Sequence, residues 1–151
     1  MIISEDGLAL IKMFEGFRPM PYICPGGFPT VGVGHLIRQG EDFTQGITEA
    51  EGEDLLRKDV EQFERAVVRL TPRQLDQSQF DALVSFTFNL GVGAYQRSTL
   101  RQCVIAGHDD LVPDQFMRWT RAGGMVRLGL VRRRKAEVSL YTREEDHAQA
   151  A

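Results

Sequence analysis

The chain has 151 residues, of which 42% are hydrophobic and 26% are charged, and its formal net charge at pH 7 is −3. This length can bury a core without disulfides or metals, so we expect one compact domain, or two small lobes that share a helix. The negative charge argues against nucleic acid as a partner, and the lack of a long apolar stretch leads us to expect no signal peptide and no membrane anchor.

The first predicted element is a short amphipathic helix that ends at an acidic residue. Apolar residues recur at helical spacing from Leu8 to Phe14, behind Ser4 as a typical N-cap. Gly16 stands where a helix commonly stops, so Glu15 should be the last helical residue. The helix dipole disfavours negative charge at that end, which favours the protonated carboxyl that a general acid needs. Glu15 is therefore a candidate catalytic residue.

A segment rich in Pro and Gly follows over residues 17–36, and it contains a β-prone run from Thr30 to Val33. It predicts a small antiparallel hairpin that must pack on helices to be stable. Eight residues separate Glu15 from Cys24, and five separate Cys24 from Thr30. An acid followed by such a hairpin is one way to surround a glycosidic bond. Cys24 and Cys103 lack metal-binding spacing, so we expect no metal and two free thiols, as in a protein made in a reducing cytosol.

A long helix is predicted next, over residues 48–70. The sequence from Thr48 to Glu51 has the Thr-x-x-Glu form of a capping box, and the helical pattern ends before Pro72. A helix of this length spans roughly 30 Å and could join a small N-terminal lobe to a larger helical one. The following segment, Asp76 to Leu90, is apolar on most sides, which predicts the central helix of a bundle.

Three further helices are predicted toward the C-terminus: from Ser98 to Gly107, over residues 111–120, and over residues 130–141 after a glycine-containing stretch. Residues 143–151 resemble a polar tail. The run from Arg132 to Lys135 contains four consecutive positive charges. Two interpretations of this run stay open, a solvated helix face and a surface that attracts an anionic polymer.

A series of short motifs spans nearly the whole chain, from about Ile2 to Tyr141. They are Glu15-Gly16, Pro21-Tyr22, Pro25-Gly26-Gly27, Thr30-x-Gly-x-Gly-His35, Ile47-Thr48-Glu49, Phe80-Asp81-Ala82-Leu83, Phe88-Asn89-Leu90-Gly91, Ser98-Thr99-Leu100, Trp119, Gly129-Leu130, Arg133-Arg134 and Glu137. In this order and spacing they resemble the phage-type lysozymes of glycoside hydrolase family 24. The resemblance implies a predominantly helical α+β lysozyme-like fold in one catalytic domain, residues 1–142. A hairpin-bearing lobe (about 1–47) and a helical lobe (about 71–142) would flank a cleft.

The resemblance implies muramidase activity, the hydrolysis of the β-1,4 bond between N-acetylmuramic acid and N-acetylglucosamine in bacterial peptidoglycan. The family's catalytic pattern is Glu, eight residues, Asp or Cys, five residues, Thr, and this chain has the Cys form. Glu15 would then protonate the leaving oxygen, while Cys24 and Thr30 hold or activate water on the opposite face. A neutral thiol stabilises an oxocarbenium ion poorly, so Cys24 must either ionise or position the water. A thiolate could also attack the sugar, which leaves a covalent step open.

The resemblance also assigns supporting residues. Arg133, or else Arg132, would lie beside Glu15 and hold it in place. His35 would pair with a carboxylate on the long helix, for which we expect Asp59, and would join the hairpin to that helix without taking part in the chemistry. Three further positions fall where the family lines its sugar cleft, although each could serve packing alone: Leu36, Phe88 and Thr99.

Two other functions stay open at this point. Cys24 and His35 could form the thiol–imidazole pair of a peptidoglycan amidase or peptidase, although cysteine nucleophiles commonly lie at helix N-termini. The chain could also be a wall-binding module that lost catalysis through Cys24. For the muramidase we expect no cofactor, a monomer, and a location in the host cytoplasm until a separate holin-type protein permeabilises the membrane.

Overall fold

Seven helices and two small sheets make up residues 1–144, the part of the chain that the computed structural model describes. The elements are α1 (Glu5–Glu15), β1 (Arg18–Ile23), β2 (Pro29–Gly32), β3 (His35–Leu36), α2 (Glu49–Leu70), α3 (Gln77–Leu90), α4 (Val92–Gln96), α5 (Thr99–Ala106), α6 (Val112–Met117), β4 (Arg121–Ala122), β5 (Met125–Val126) and α7 (Leu128–Tyr141). The predicted, mainly helical α+β class is confirmed. Apart from residues 143 and 144, the predicted polar tail lies outside the described residues.

Helix α1 and the first sheet form the N-terminal part. The Ser4 side chain accepts a hydrogen bond from the Gly7 backbone N–H, and the helix ends at Gly16, which has a φ of 72°. Strands β1, β2 and β3 pair antiparallel in that order. The predicted hairpin is therefore extended by a third strand. Gly32 and Gly34, with φ values of 69° and 70°, let the chain reverse within two residues.

Helix α2 runs for 22 residues and begins at the predicted capping box, in which Thr48 and Glu51 bond to each other's backbone. Its buried side packs against β2, β3 and α3. Helix α3 lies at the centre and packs against α1, α2, α4 and α7, as its apolar sequence predicts. Within it the Phe86 ring makes edge contacts with the rings of Tyr95, Phe116 and Trp119, so α3 organises the core of the helical lobe.

The C-terminal third departs from the predicted boundaries. Helix α4 was not predicted, since five residues are too short to show periodicity. Helix α6 is shorter than the predicted 111–120, and α7 begins at Leu128 instead of residue 130. The glycine-containing stretch forms the hairpin β4–β5. Within residues 1–144, no helix is both long enough and apolar enough to cross a membrane.

The basic run from Arg132 to Lys135 fits neither sequence-based interpretation as a whole. Arg133 and Arg134 are buried, while Arg132 and Lys135 are exposed. The two buried guanidiniums lie close to the carboxylate of Glu137, which is also fully buried. Half of the run therefore belongs to an internal ion network, and only the other half faces solvent.

Candidate active site

A cleft of about 530 Å³ opens beside Glu15, between the first sheet, α2 and α3. The residues that line it are Glu15, Gly34, Leu36, Ile37, Arg38, Asp59, Gln62, Phe63, Phe88 and Asn89. The cleft thus joins the end of α1 to the β3 region on one side and to the two longest central helices on the other. It combines apolar rings with carboxyl, amide and guanidinium groups, which suits a ligand that carries hydroxyl and amide groups.

Glu15 is held at the edge of this cleft by one strong contact. Arg133 Nη1 donates to Glu15 Oε1 over 2.7 Å. The Arg133 side chain is 4% exposed and the Glu15 side chain 26%, so the carboxylate faces the cleft while its partner is inside. A Cβ atom on Gly34 would lie 3.3 Å from Glu15 Oε2. Glycine at this position therefore lets the turn between β2 and β3 approach the carboxylate closely.

A buried network extends from this contact to the far wall of the cleft. Arg133 Nε lies 3.4 Å from Glu137 Oε1, and Arg134 Nη2 donates to the same oxygen over 3.0 Å. Arg134 Nη2 also donates to Asn89 Oδ1 over 2.7 Å. Burial raises the pKa of Glu137 and lowers that of Arg134, and the attraction between their charges opposes both shifts. The network connects Glu15 with Asn89, so one set of buried charges positions two cleft residues.

Cys24 and Thr30 lie together in the β1–β2 hairpin. Cys24 directly follows β1, and its backbone N–H donates to the Phe28 carbonyl over 2.9 Å. Backbone hydrogen bonding from Phe28, followed by the Thr30 side chain, lowers the pKa of the Cys24 thiol. The Thr30 hydroxyl also lies 3.0 Å from the Phe28 carbonyl oxygen. This hydroxyl has one proton, which it donates to the Phe28 carbonyl oxygen. If Cys24 ionises, the hydroxyl should donate to the sulfur instead, because a charged acceptor forms the stronger hydrogen bond.

The structure brings only some of the predicted site residues into one cleft. Leu36 and Phe88 line it together with Glu15. Cys24 and Thr30 are not among the residues that line the cleft. Thr30 nevertheless pairs across the sheet with Leu36, which does line it. Thr99 lines a separate cavity of about 260 Å³, next to Trp119 and two arginines.

His35 occupies a polar junction between the sheet and α2. Its Nδ1 lies 2.8 Å from Asp59 Oδ2 and its Nε2 lies 3.0 Å from Glu41 Oε1. The Arg38 backbone N–H, and next His35, lower the pKa of Glu41. Both ring nitrogens of His35 are thus engaged by carboxylates, which leaves neither for Cys24. This geometry disfavours the thiol–imidazole pair of an amidase or peptidase.

Two residues that support the site, Glu41 and Glu137, differ in the strength of their sequence signals. Glu41 lies in a loop six residues after His35, where no periodicity relates the two. Glu137, by contrast, follows Arg133 and Arg134 at the i+4 and i+3 spacings of helix neighbours, and this spacing is a usable signal for the network. Within residues 1–144, no group of three or more His, Cys, Asp or Glu side chains could hold a metal ion.

Comparison with known proteins gives a consistent set of relatives. A family model described as "Phage lysozyme" matches residues 12–137. The endolysin of Bacillus phage B103 is 43% identical over 145 residues, which are 93% of this chain and 54% of the relative. The endolysin of Salmonella phage P22 is 35% identical over 138 residues, or 89% of this chain and 94% of the relative. The chain spans about half the length of the matched Bacillus phage endolysins.

Two solved structures have the same architecture. An endolysin from Escherichia coli O157:H7 phage FAHEc1 superposes with a TM-score of 0.86 at 34% identity, covering 94% of each chain. The muramidase domain of SpmX from Asticaccaulis excentricus superposes with a TM-score of 0.84 at 36% identity, covering 94% of this chain and 98% of that one. These similarities extend over both lobes and the cleft between them.

Proposed function

The chain belongs to the phage lysozyme family, and from this premise we propose that it is a muramidase. Its substrate is bacterial peptidoglycan, and the bond it cleaves is the β-1,4 bond between N-acetylmuramic acid and N-acetylglucosamine. The observation that carries the proposal is the carboxyl group of Glu15, which lies at the edge of the cleft and in contact with a buried arginine. The relatives named as endolysins and the neighbour named as a muramidase domain support the same activity.

Glu15 is the general acid in this proposal. It donates its proton to the glycosidic oxygen as the bond breaks, and Arg133 keeps the carboxyl oriented toward the cleft. The leaving sugar departs as an alcohol, and positive charge develops on the remaining ring. The carboxylate that Glu15 becomes is then stabilised by the same guanidinium, which makes the proton transfer more favourable.

Cys24 and Thr30 serve the water side of the reaction. The lowered pKa of Cys24 favours a thiolate, which can stabilise positive charge on the ring and accept a proton from the attacking water. Thr30 donates to the thiolate and orients it. The water adds to the anomeric carbon, one of its protons goes to the sulfur, and the products are two shorter glycan chains, one with a new reducing end.

Digestion of purified peptidoglycan tests the reaction class. A muramidase releases new reducing ends, an amidase or peptidase releases new amino groups, and a wall-binding module pellets with the walls and releases neither. Glu15→Gln keeps the shape of the side chain but cannot donate a proton, so release of reducing ends should fall by about 10²-fold or more. Retention of near-normal release by the folded Gln variant would exclude Glu15 as the acid.

Cys24→Asp distinguishes the two chemistries available to the cysteine. A carboxylate supplies the charge and the proton acceptor that the muramidase needs, so this variant should still release reducing ends. The same change should abolish an amidase or peptidase that uses the thiol as its nucleophile. Cys103→Ser, a change at the other thiol, is the control and should be nearly neutral for turnover. A folded but inactive Asp variant would contradict the role proposed for Cys24.

The biological setting follows from this activity. We propose that the protein acts as a monomer on the cell wall, in one catalytic domain and without a cofactor. Until lysis it stays in the host cytoplasm and depends on a separate holin-type protein that permeabilises the membrane. Expression in bacteria tests this dependence, because cells should lyse only when a membrane-permeabilising protein or agent is supplied as well.

A further inference from the structure

Positive charge is concentrated in one part of a chain that is negative overall. Residues 115–136 contain seven of the 18 Lys and Arg residues and none of the 21 Asp and Glu residues. The formal net charge of the whole chain is nevertheless −3. The rest of the molecule is therefore strongly acidic, and this segment is the part of the sequence best suited to attract an extended anionic surface.

Some cations of this segment are buried in ion pairs, and the others are exposed to solvent without an acidic partner. Arg133 and Arg134 are buried and paired with Glu15 and Glu137. The other five cations of the segment are exposed, and none of them forms an ion pair with any residue of the described range 1–144: Arg118, Arg121, Arg127, Arg132 and Lys135. These charges lie directly after α6, on β4, directly after β5, and on α7.

The hairpin also carries exposed apolar side chains, and they occur on both of its faces. Arg121 pairs across the strands with Val126, whereas Met125 pairs with Ala122 on the opposite face. All four residues of β4 and β5 are exposed. The turn between the strands is formed by Gly123 and Gly124, with φ values of 60° and 78°, which fixes a tight reversal. Three aliphatic side chains are more than half exposed: Met125 at 61%, Val126 at 51% and Leu128 at 70%. These three aliphatic side chains lie within four residues and beside arginines that form no ion pair, so the hairpin suits a partner that is both anionic and apolar.

We propose that the basic hairpin surface, which comprises both faces of β4–β5 and the start of α7 and includes Arg121, Met125, Arg127, Leu128 and Arg132, binds the face of an anionic lipid bilayer. Arginines at such a surface pair with lipid phosphates, while aliphatic side chains enter the boundary between headgroups and acyl chains. A soluble phosphate polymer would satisfy the arginines but would leave the aliphatic side chains in water. The contact is peripheral, and it does not depend on the proposed muramidase chemistry.

Vesicle sedimentation tests the proposal with the purified chain. The protein should bind vesicles of phosphatidylcholine mixed with phosphatidylglycerol, should not bind phosphatidylcholine alone, and should be released as salt increases. Each cation near an anionic surface contributes about fivefold in the partition coefficient, so the double change Arg121→Gln and Arg127→Gln should reduce binding by about 25-fold. The matched control removes two exposed, unpaired cations of α2, through Lys58→Gln and Arg69→Gln, and should change binding little.

A second pair of changes separates lipid from other anionic partners. Met125→Ser with Leu128→Ser should weaken vesicle binding and leave the binding of a soluble polyglycerol phosphate unchanged. Equal vesicle binding by wild type and this variant, or equal loss in the α2 control, would overturn the proposal. Release of reducing ends from purified peptidoglycan by all these variants should stay at the wild-type level. Vesicle binding and glycan cleavage can thus fail independently.

Discussion

The contact between His35 and Asp59 permits a quantitative stability prediction. His35 is almost fully buried and both its ring nitrogens have carboxylate partners, so the Asp59 side chain satisfies a group that has little access to water. Asp59→Asn keeps the shape and can still form a hydrogen bond with Nδ1, but the bond no longer involves a charged carboxylate. Asp59→Ala removes the partner altogether and leaves a buried ring nitrogen unpaired.

The two changes should lower the free energy of unfolding by different amounts. A hydrogen bond to a charged group contributes about 1.5–3 kcal/mol to stability and a neutral one about 0.5–1.5 kcal/mol. Asp59→Asn should therefore lower the free energy of unfolding by about 1–1.5 kcal/mol. Leaving the nitrogen unpaired in Asp59→Ala should cost about 1–3 kcal/mol. For a chain of this size, 1 kcal/mol lowers Tm by about 2–4 °C, which gives about 2–6 °C for the Asn variant and about 2–12 °C for the Ala variant.

Thermal unfolding followed by circular dichroism at neutral pH measures these differences. Asp54→Asn is the control, because Asp54 is an exposed acid of the same helix and forms no ion pair within the described residues. Both Asp59 variants should still release reducing ends at temperatures where they are folded. If Asp59→Asn and Asp54→Asn melt together, the pair does not stabilise the fold. If Asp59→Asn is stable but inactive, His35 has a catalytic role and the amidase hypothesis regains support.

Two further predictions concern pH. Thr30→Val removes a side chain that lowers the pKa of Cys24, so the midpoint of the pH profile for alkylation of Cys24, measured in a Cys103→Ser background, should move upward; an unmoved midpoint would mean that Thr30 does not stabilise the thiolate. Hydrogen bonds from Arg73 lower the pKa of Asp109, so the stability this carboxylate provides is present above its ordinary pKa and is lost as pH falls through the lowered one. Asp109→Asn should therefore lower Tm at neutral pH by at most about 4 °C and should make the acid side of the Tm profile flatter, and an unchanged profile would contradict this.

The sequence predicts those elements in which local and tertiary preferences agree. Helices α1, α2 and α3 were predicted with nearly correct limits, because each has a capping residue, a regular apolar pattern and a clear stop. The start of α7 was missed because Gly129, a poor helix former, lies in its first turn, where packing of the helix against α3 and α6 decides the outcome. The pair Gly123-Gly124 is a hairpin signal that would have predicted β4–β5.

The site is less predictable, because its contacts join distant parts of the chain. The motifs indicate the family, which comparison confirms, and they lead to the proposed activity. From the sequence, all four charges from Arg132 to Lys135 would be expected to face solvent, because arginine and lysine are rarely buried. The resemblance places Arg133, or else Arg132, beside Glu15, but only the fold shows that both Arg133 and Arg134 point inward, toward groups on α1, α3 and α7. The roles of Glu15, Cys24 and Thr30 stay predictions until the variants above are measured.

The setting of Glu15 explains why both lobes are needed for the proposed chemistry. Its hydrogen-bond partner, Arg133, lies 118 residues away on the last helix, while the glycine that gives its second oxygen room lies in the first sheet. Arg133 in turn is flanked by Glu137, so its charge is shared between a buried carboxylate and the one facing the cleft. Glu137 and Glu15 contact the same guanidinium from two sides, so the buried carboxylate helps to fix the position of Arg133. Arg133 in turn fixes Glu15 at the edge of the cleft, where a proton donor must be correctly placed before its proton can be transferred.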